Sequence, residues 1–429
     1  MYISKIVLKN IKCFDNITID FITPDGACLG CVFLGDNGIG KSTILRSIAL
    51  SLCGELSVSG LLDELYGEWI KKGKTEGEIQ LEIIDPDEKN KRYQVKTIFK
   101  KGGPGDPYTI KQETIPEKFP WDDFFICGYG ASRGTYGDMV INEYYATDSV
   151  YSLFNYKESH LQNPELAIRR ITDINIGNSE EIQKKVLNLV SKILMFSEGA
   201  IKLEKGLIVK NPFGESMPLQ ELGDGHIATA TMIIDMIGWL LLYDDTMFQS
   251  DISEIAGIVI IDEIEQHLHP LWKRKIIPLL RTVFPKVQFI MTTHSPLIAA
   301  NINIHSPKMS RSKLLYLNRD NVNKTIQINE IEEDIEKLNL DQILASEAFG
   351  HIFNVNEEID EILKKASKLA AKDKRSPDEE KIYNEFKERL KRIMFPKGRT
   401  LIERIVEKDY YEDLKKEKEE FKKLLEGKR

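Results

Sequence analysis

The chain has 429 residues, of which 42% are hydrophobic and 29% are charged, and its formal net charge is −8. This length allows two or three domains around a sizeable core, and the acidic balance argues against a protein that coats nucleic acid along its whole surface. No apolar run approaches the ~20 residues that span a bilayer, and the N-terminus has no apolar signal-peptide core, so we expect a cytoplasmic protein without a membrane partner.

The first predicted elements are strands at residues 2–8 and 27–34, both rich in Ile, Val, Leu and Phe. The second carries Cys28 and Cys31 as a C-x-x-C pair. Positions three apart in a strand point to opposite faces, so we interpret both as core residues rather than joint zinc ligands. All five cysteines lie at or before Cys127, and their odd number argues against a disulfide framework.

A glycine-rich turn follows the second strand and leads into a helix predicted over residues 41–53. Residues 35–42, GDNGIGKS, match G-x-x-x-x-G-K-[ST] in full. Backbone N–H groups of such a turn can surround a β-phosphate, Lys41 can reach the β- and γ-phosphates, and the Ser42 hydroxyl can ligate Mg²⁺. The predicted cofactors are therefore ATP and Mg²⁺. The predicted nucleotide-binding residues are Gly35, Asp36, Asn37, Gly38, Ile39, Gly40, Lys41, Ser42 and Thr43.

The later elements mix sheet and helix. In chain order we predict a hairpin at 78–84 and 92–99, a strand running into a Gly-rich turn at 124–134, helices over 146–200 and 225–243, and strands at 257–263 and 286–296. The last two are continuous apolar runs, which is typical of strands buried on both faces. Beyond residue 330 the chain is charged and predicted to be mostly helical.

Polar residues follow both of the predicted buried strands. The strand at 257–263 ends in Asp262 and Glu263, and a buried strand delivers such carboxylates to the phosphate-binding edge of its sheet. We expect Asp262 to hold Mg²⁺ and Glu263 to orient or deprotonate the attacking water. The strand at 286–296 ends in TTHSP, whose His294 can donate to a γ-phosphate oxygen. The predicted catalytic residues are Lys41, Glu263 and His294.

In this order the phosphate-binding turn, DEIEQHLHP at 262–270 and TTHSP resemble the ABC-type ATPases of the RecF, SMC and OLD group, over roughly residues 1–320. The resemblance implies an α/β ABC-type P-loop ATPase head with a mixed β-sheet core, a helical insertion and a C-terminal helical region. The implied division is an N-terminal ATPase lobe at 1–145, the insertion at 146–215, a C-terminal ATPase lobe at 216–330 and the helical region at 331–429.

Members of this group work as head-to-head dimers, in which a signature loop, usually L-S-x-G, of one subunit caps the ATP of the other. The best match is Leu222, Gly223, Asp224 and Gly225. Glycine replaces the usual serine here, so its hydroxyl contact is missing, although N–H groups ahead of the following helix could still bind anionic oxygen.

The resemblance brings in four further residues. Lys12, in LKNIKCF, stands where an arginine is usual and is a candidate nucleotide contact. Arg133, in GYGASR, either faces the nucleotide or dimer partner or is structural. His267 and His269 could join His294 around zinc, or lie near the dimer interface as the resemblance implies.

Two function classes remain open. Only about 220 residues separate the phosphate-binding turn from the catalytic acids, without sustained heptads, so the chain lacks the long coiled-coil arms of SMC proteins. It is similar to the stand-alone PtuA-type ATPases of Septu-like and retron-associated anti-phage systems, which partner a separate HNH nuclease. That implies a homodimer or higher oligomer that regulates an effector nuclease. The alternative is a RecF-like DNA-repair ATPase acting directly on DNA; a transporter ATPase fits DEIEQHLHP and the tail less well.

Overall fold

The computed structural model describes residues 1–62, 69–86, 91–102, 108–121, 123–131, 136–137, 142–155, 161–174, 179–211, 214–244, 254–302, 310–320, 325–331, 376–377 and 379–385. The chain forms two compact units, Met1–Ile352 and Phe353–Arg429. All of the elements below belong to the first unit. In the second unit the described residues from 377 to 385 are helical.

Strands and helices are both abundant, which confirms the predicted α/β class. The strands are β1 (Tyr2–Ile11), β2 (Phe14–Asp20), β3 (Ile22–Thr23), β4 (Gly26–Ala27), β5 (Gly30–Gly35), β6 (Glu76–Asp85), β7 (Lys91–Lys101), β8 (Tyr108–Ile115), β9 (Ile126–Tyr129), β10 (Tyr136–Gly137), β11 (Leu161–Gln162), β12 (Ile201–Leu203), β13 (Leu207–Lys210), β14 (Ser216–Pro218), β15 (Ala256–Ile261), β16 (Lys286–Thr293), β17 (Ser312–Asp320) and β18 (Thr325–Glu330). The helices are α1 (Lys41–Leu52), α2 (Glu55–Leu61), α3 (Ala146–Val150), α4 (Pro164–Ile174), α5 (Ser179–Ile193), α6 (Asp224–Tyr243), α7 (Pro270–Lys273), α8 (Ile276–Val283) and α9 (Pro296–Ala299).

A six-stranded mixed sheet in the order β18-β17-β5-β16-β15-β9 positions the site. Its strands run parallel from β17 to β9, and β18 alone is antiparallel to its neighbour. The residues of β15 and β16 are almost all buried, as their apolar sequences predict. Because parallel strands end at the same edge of a sheet, the loops that follow β5, β15 and β16 meet there.

A second, antiparallel sheet in the order β2-β1-β6-β7-β8 covers one side of the first. The hairpin β6–β7 alternates buried apolar with half-buried polar residues, as a sheet with one solvated face should. Helix α1 packs against β6 and β7 as well as β5 and β16, and its buried residues join one core cluster with both sheets. The phosphate-binding turn is thus fixed at the start of a helix that is enclosed by sheets.

Helix α6 lies in the other core cluster, among residues of α4, α5, α8 and the six-stranded sheet. By length and composition alone it could cross a membrane, which differs from the expectation that no apolar run is long enough. Yet 78% of its apolar window is buried inside the protein. A helix that is apolar all round is typical of a position enclosed by other elements, so this feature is weak evidence for a membrane span.

The predicted helical segment after residue 146 is present as α3, α4 and α5, but it is followed by a small sheet of β12, β13 and β14 that the periodicity did not indicate. The division into four domains stays a prediction. The tail beyond residue 331 lies outside the described residues, apart from 376–377 and 379–385.

The C-x-x-C pair departs from one expectation. Strand β5 begins only at Gly30, so Cys28 lies ahead of the strand, and both cysteines belong to the same core cluster rather than to opposite faces. The two thiols contact one another, and burial, together with the neighbouring Cys28, raises the pKa of Cys31 well above its usual range. Both are free thiols and fully buried, which confirms their interpretation as core residues.

Candidate functional site

The turn between β5 and α1, here called the phosphate loop (residues 35–43), has the backbone of an anion cradle. Gly35, Gly38 and Gly40 adopt φ values of 151°, 71° and 108°, which favour glycine. A β-carbon at Gly40 would lie 2.6 Å from both the Cys13 sulfur and the Phe14 ring, so only glycine fits there. Helix α1 begins directly afterwards without a side-chain cap, and the first N–H groups of a helix have no carbonyl acceptor within it.

Lys41 is buried and folded back over this loop. Its Nζ donates to the carbonyl oxygens of Gly35 at 2.8 Å and Asp36 at 2.9 Å. Burial lowers the pKa of Lys41 to about 8, while the nearby carboxylates of Asp262 and Glu263 act in the opposite direction. The ammonium group is thus desolvated before any ligand arrives, and an added anion would favour its charged form.

The loop after β15, here called the acidic turn (residues 262–270), carries the predicted carboxylates. Asp262 is buried, and its backbone N–H donates to the carbonyl of Tyr129 at the end of β9. Glu263 is half-buried and has a φ of 49°, in the left-handed region that non-glycine residues rarely adopt. This conformation turns the chain sharply at the sheet edge.

His294 follows β16 and completes the meeting of the three loops. Its Nδ1 lies 3.4 Å from Nζ of Lys41. Its backbone N–H donates to Oε1 of Glu265, in the acidic turn, at 2.5 Å. The structure therefore brings together Lys41, Asp262, Glu263 and His294, as the order of motifs predicted.

Two residues of this edge were not identified from the sequence. Thr292 hydrogen-bonds to both Asp262 and Glu263, and Glu265 anchors His294. Thr292 belongs to the motif TTHSP and Glu265 to the motif DEIEQHLHP, so the motifs themselves pointed to this region. A single motif does not show which neighbouring loop each of its side chains will contact.

The signature-like loop (Leu222, Gly223, Asp224 and Gly225) lies at the start of α6. Gly223 and Asp224 are exposed, and Gly223 is the N-cap of the helix. A β-carbon at Gly225 would lie 2.1 Å from the carbonyl oxygen of His267, so this loop packs on the acidic turn of its own chain. The exposed residues of the loop therefore lie next to its packed glycine, at the start of the helix.

The remaining candidates have different surroundings. Lys12 precedes the Cys13 that packs on Gly40, which places its backbone beside the phosphate loop. Its Nζ lies 4.9 Å from the centre of the Trp69 ring, and burial, with Arg46 nearby, lowers its pKa. Arg133 lies outside the described residues.

The two histidines of the acidic turn are both exposed. His269 is the N-cap of α7, where its Nδ1 accepts the N–H of Leu271 at 3.4 Å. His267 has a φ of 63° and supplies the carbonyl that meets Gly225. Among the residues that the structure describes, no cluster of three His, Cys, Asp or Glu side chains could hold a metal ion.

Comparison with known protein families gives two matches. Residues 5–212 match the family described as "AAA domain", and residues 138–300 match "AAA domain, putative AbiEii toxin, Type IV TA system". Two overlapping segments of the chain therefore match AAA-domain families. The two matches cover the phosphate loop, the signature-like loop and the acidic turn, which are the segments that the sequence singled out.

The chain is also similar to a Septu protein and to a retron ATPase. Septu protein PtuA of Bacillus mycoides is 27% identical over 306 residues, which make up 69% of this chain and 38% of PtuA. The "Retron Ec83 probable ATPase" of Escherichia coli is 25% identical over 385 residues and 70% of each chain. The chain thus spans well under half the length of the PtuA protein that it matches. Among solved structures, an Smc head bound to the C-winged helix domain of ScpA has a TM-score of 0.49, with 14% identity over 79% of this chain and all of that chain.

Proposed function

We propose that the chain binds and hydrolyses ATP with Mg²⁺ and acts as a dimeric switch. The observation that carries this proposal is the meeting of three loops at one sheet edge, where Nζ of Lys41 lies 3.4 Å from Nδ1 of His294 and within the field of Asp262 and Glu263. A lysine, a histidine and two carboxylates around a glycine-rich helix start are the groups that phosphoryl transfer uses for charge neutralisation and water orientation.

The residues present fit a magnesium ion. Mg²⁺ prefers hard oxygen donors and is usually held by one or two carboxylates together with substrate phosphates and water. Ser42 lies in the first turn of α1, and the buried carboxylate of Asp262 is oriented by the Thr292 hydroxyl. Ser42 and Asp262 would hold the ion, which supplies positive charge beside the phosphates.

The side chains have distinct tasks in this proposal. Lys41 exchanges the carbonyl oxygens of Gly35 and Asp36 for the β- and γ-phosphates, where its desolvated charge interacts strongly. Glu263 orients the attacking water and accepts its proton. His294 donates to a γ-phosphate oxygen and so distinguishes ATP from ADP.

We propose that the signature-like loop completes the site in trans. What supports this is that Gly223 and Asp224 are exposed while Gly225 is packed on the acidic turn, so the loop is rigidly held and faces outward. N–H groups at the start of α6 would approach the γ-phosphate bound by the other subunit. The active unit is then a homodimer or a larger homo-oligomer.

We further propose that the switch regulates a separate effector, an HNH nuclease, in cytoplasmic anti-phage defence. The support is the homology to Septu PtuA and a retron ATPase. A switch performs work only when its two states differ in affinity for something else, and an acidic chain favours a protein over bare DNA as that partner.

Direct action on DNA is the competing function. Several lysines and arginines that could have formed a basic groove are paired with carboxylates: Lys71 with Asp15, Lys96 with Glu78, Lys100 with Glu76 and Arg169 with Glu165. These pairs reduce the positive potential available to phosphates, which favours the effector proposal.

The test compares the purified chain with Lys41→Ala, Glu263→Gln and Lys111→Ala, the last being an exposed lysine outside the site. We expect ATP turnover by the wild type and Lys111→Ala, loss of ATP binding in Lys41→Ala, and ATP bound but hydrolysed ~10²–10⁴-fold more slowly by Glu263→Gln. Wild-type turnover in Glu263→Gln would contradict the assignment. Mg²⁺- or Mn²⁺-dependent DNA cleavage by the isolated chain, abolished by a point mutation in it, would contradict the regulatory role.

A further inference from the structure

The acidic turn and the end of β16 hold each other by side chains that no catalytic step uses. The Thr292 hydroxyl donates to Oδ1 of Asp262 at 2.5 Å and accepts the backbone N–H of Glu263 at 2.7 Å. A hydroxyl has one donor and two acceptor positions, so both bonds form at once. The side chain is fully buried, in a strand where valine would have the same shape.

Thr292 also stabilises an unusual backbone. Glu263 has a φ of 49°, and a non-glycine residue keeps such a conformation only where its surroundings enforce it. The Thr292 hydroxyl accepts the N–H of Glu263, and the Thr292 carbonyl accepts that of Ile264 at 3.0 Å. One residue therefore fixes the turn that directs the Glu263 side chain.

Glu265 holds β16 in the reverse direction. Its Oε1 accepts the backbone N–H of His294, while its Oε2 is buried and has no hydrogen-bond partner among the described residues. A half-satisfied buried carboxylate is costly, so packing alone does not explain its presence. Its position explains it better, because the bond fixes the peptide that carries the imidazole.

We propose that Thr292 and Glu265 are positioning residues that form a reciprocal clamp, which holds Asp262, Glu263 and His294 in one fixed arrangement for ATP hydrolysis. The clamp rests on the proposed function, but it concerns residues that have no catalytic task in that proposal. Each segment supplies one side chain that hydrogen-bonds to the other. Thr292 of β16 binds the acidic turn, and Glu265 of the acidic turn binds the residue that follows β16.

The main experiment uses Thr292→Val, which removes the hydroxyl but keeps the shape, and Thr292→Ser, which keeps the hydroxyl. The matched control is Thr231→Val, because the Thr231 hydroxyl is also buried but has no hydrogen-bond partner among the described residues. We measure ATP turnover, ATP affinity with EDTA, and the gain in ATP affinity when Mg²⁺ is added.

We expect Thr292→Val to lower kcat by ~10–100-fold and to raise the half-saturating Mg²⁺ concentration, since it frees the carboxylate expected to bind the ion. Its ATP affinity in EDTA should stay at the wild-type value, as should all properties of Thr231→Val. Thr292→Ser should recover most of the Mg²⁺-dependent gain. A general loss of folding would lower the EDTA affinity as well, so these readouts separate positioning from stability.

Variants of Glu265 test the second half of the clamp independently. Glu265→Gln keeps an oxygen that can accept the His294 N–H, whereas Glu265→Leu removes it. We expect Glu265→Leu to lower kcat by ~10-fold or more without an equal change in KM, and Glu265→Gln to retain most of the turnover. Equal rates in both variants would overturn the role of Glu265.

The possible outcomes distinguish a failure of the proposed function from a failure of the clamp. A wild-type chain that binds Mg²⁺ and ATP but does not hydrolyse ATP defeats the proposed function, and the Mg²⁺-dependent gain in ATP affinity still decides the role of Thr292. Thr292→Val with the wild-type Mg²⁺ dependence and turnover overturns the clamp, even if Glu263→Gln abolishes hydrolysis.

Discussion

The carbonyl oxygen of His267 lies 2.1 Å from the point that a β-carbon on Gly225 would occupy. Gly225 is in the first turn of α6, and His267 is in the acidic turn, so the start of this helix rests directly on the loop that carries Asp262 and Glu263. The glycine of the signature-like loop is therefore required by packing within one chain, whatever it contributes to a second subunit.

The first prediction follows from this contact. Gly225→Ala should lower the free energy of unfolding by about 1–3 kcal/mol, because the added methyl group must displace backbone rather than a flexible side chain. Gly223→Ala is the matched control, since nothing lies within 4 Å of a β-carbon there. Urea denaturation of both variants measures the effect. Equal stability of Gly225→Ala and the wild type would show that the acidic turn can shift to accommodate the methyl group without a measurable cost in free energy.

The second prediction concerns sharing of the site between subunits. Because substitutions at Gly225 disturb the fold, the variant for this test is Gly223→Trp, which adds bulk only to the exposed end of the loop. Mixed in equal amounts with Lys41→Ala, it should restore about a quarter of wild-type ATP turnover, since half of the dimers have one intact composite site of two.

Each variant alone is the control and should show little turnover. Subunit exchange is verified separately with tagged chains. If exchange occurs and turnover stays at the level of the separate variants, the signature-like loop does not complete the site in trans.

The sequence was sufficient for the parts of the site that depend on local pattern. The phosphate loop is a contiguous motif, and two apolar runs that end in polar residues place Asp262 and His294 at one sheet edge without knowledge of any distant contact. Contacts between separate segments were not predictable in this way. Thr292 with Glu263 and Gly225 with His267 depend on how strands and helices pack, and this information is spread over the whole core.

The errors have the same origin. The expectation that Cys28 and Cys31 point to opposite faces is wrong, because the alternation of residues cannot show that the strand begins only at Gly30. The expectation that no apolar run is long enough to span a bilayer does not hold for helix α6, whose length and hydropathy alone would allow it. Its apolar surface is explained by the elements that surround it, and these cannot be recognised from one segment.

The third prediction is a pH dependence of ATP binding. Burial holds the pKa of Lys41 at about 8 in the free protein, and bound phosphates favour the ammonium form. Above this pKa the free lysine is neutral and must take up a proton when ATP binds, so affinity should fall as pH rises. Between pH 7 and pH 9 the expected decrease is about tenfold.

Calorimetry in two buffers with different ionisation enthalpies measures this directly, because proton uptake near pH 8 makes the observed enthalpy depend on the buffer. Lys111→Ala should behave as the wild type does. An affinity that stays constant from pH 7 to pH 9, with no buffer dependence, would show that Lys41 remains charged in the free protein.

The fourth prediction concerns the buried acid of α6. Asp235 is fully buried and accepts hydrogen bonds from the Tyr129 hydroxyl at 2.9 Å and the Gln162 backbone N–H at 2.7 Å. Burial raises the pKa of Asp235 to about 7, against the opposing effect of these bonds. The carbonyl of the same Tyr129 accepts the Asp262 N–H, so the acid is connected to the acidic turn through one residue.

The sign follows from proton linkage. The unfolded chain loses this proton near pH 4, whereas the folded protein keeps it until about pH 7. Between these values the folded state binds more protons, so the contribution of Asp235 to stability falls as pH rises and is lowest above pH 7. A shift of this size corresponds to a loss of at most about 4 kcal/mol across the interval.

Asp235→Asn removes the titration, and Asp123→Asn, at an exposed position, is the control. From pH 4.5 to pH 7.5 we expect the unfolding free energy of the wild type to fall steadily relative to that of Asp235→Asn. Relative to Asp123→Asn, the wild type should show no such trend. The amide group of asparagine places an N–H donor near groups that themselves donate, so we expect the variant to be less stable than the wild type at low pH. The measurement is therefore the slope of the stability difference against pH, not its absolute value. A flat difference would mean that Asp235 is ionised in the folded protein throughout this pH range.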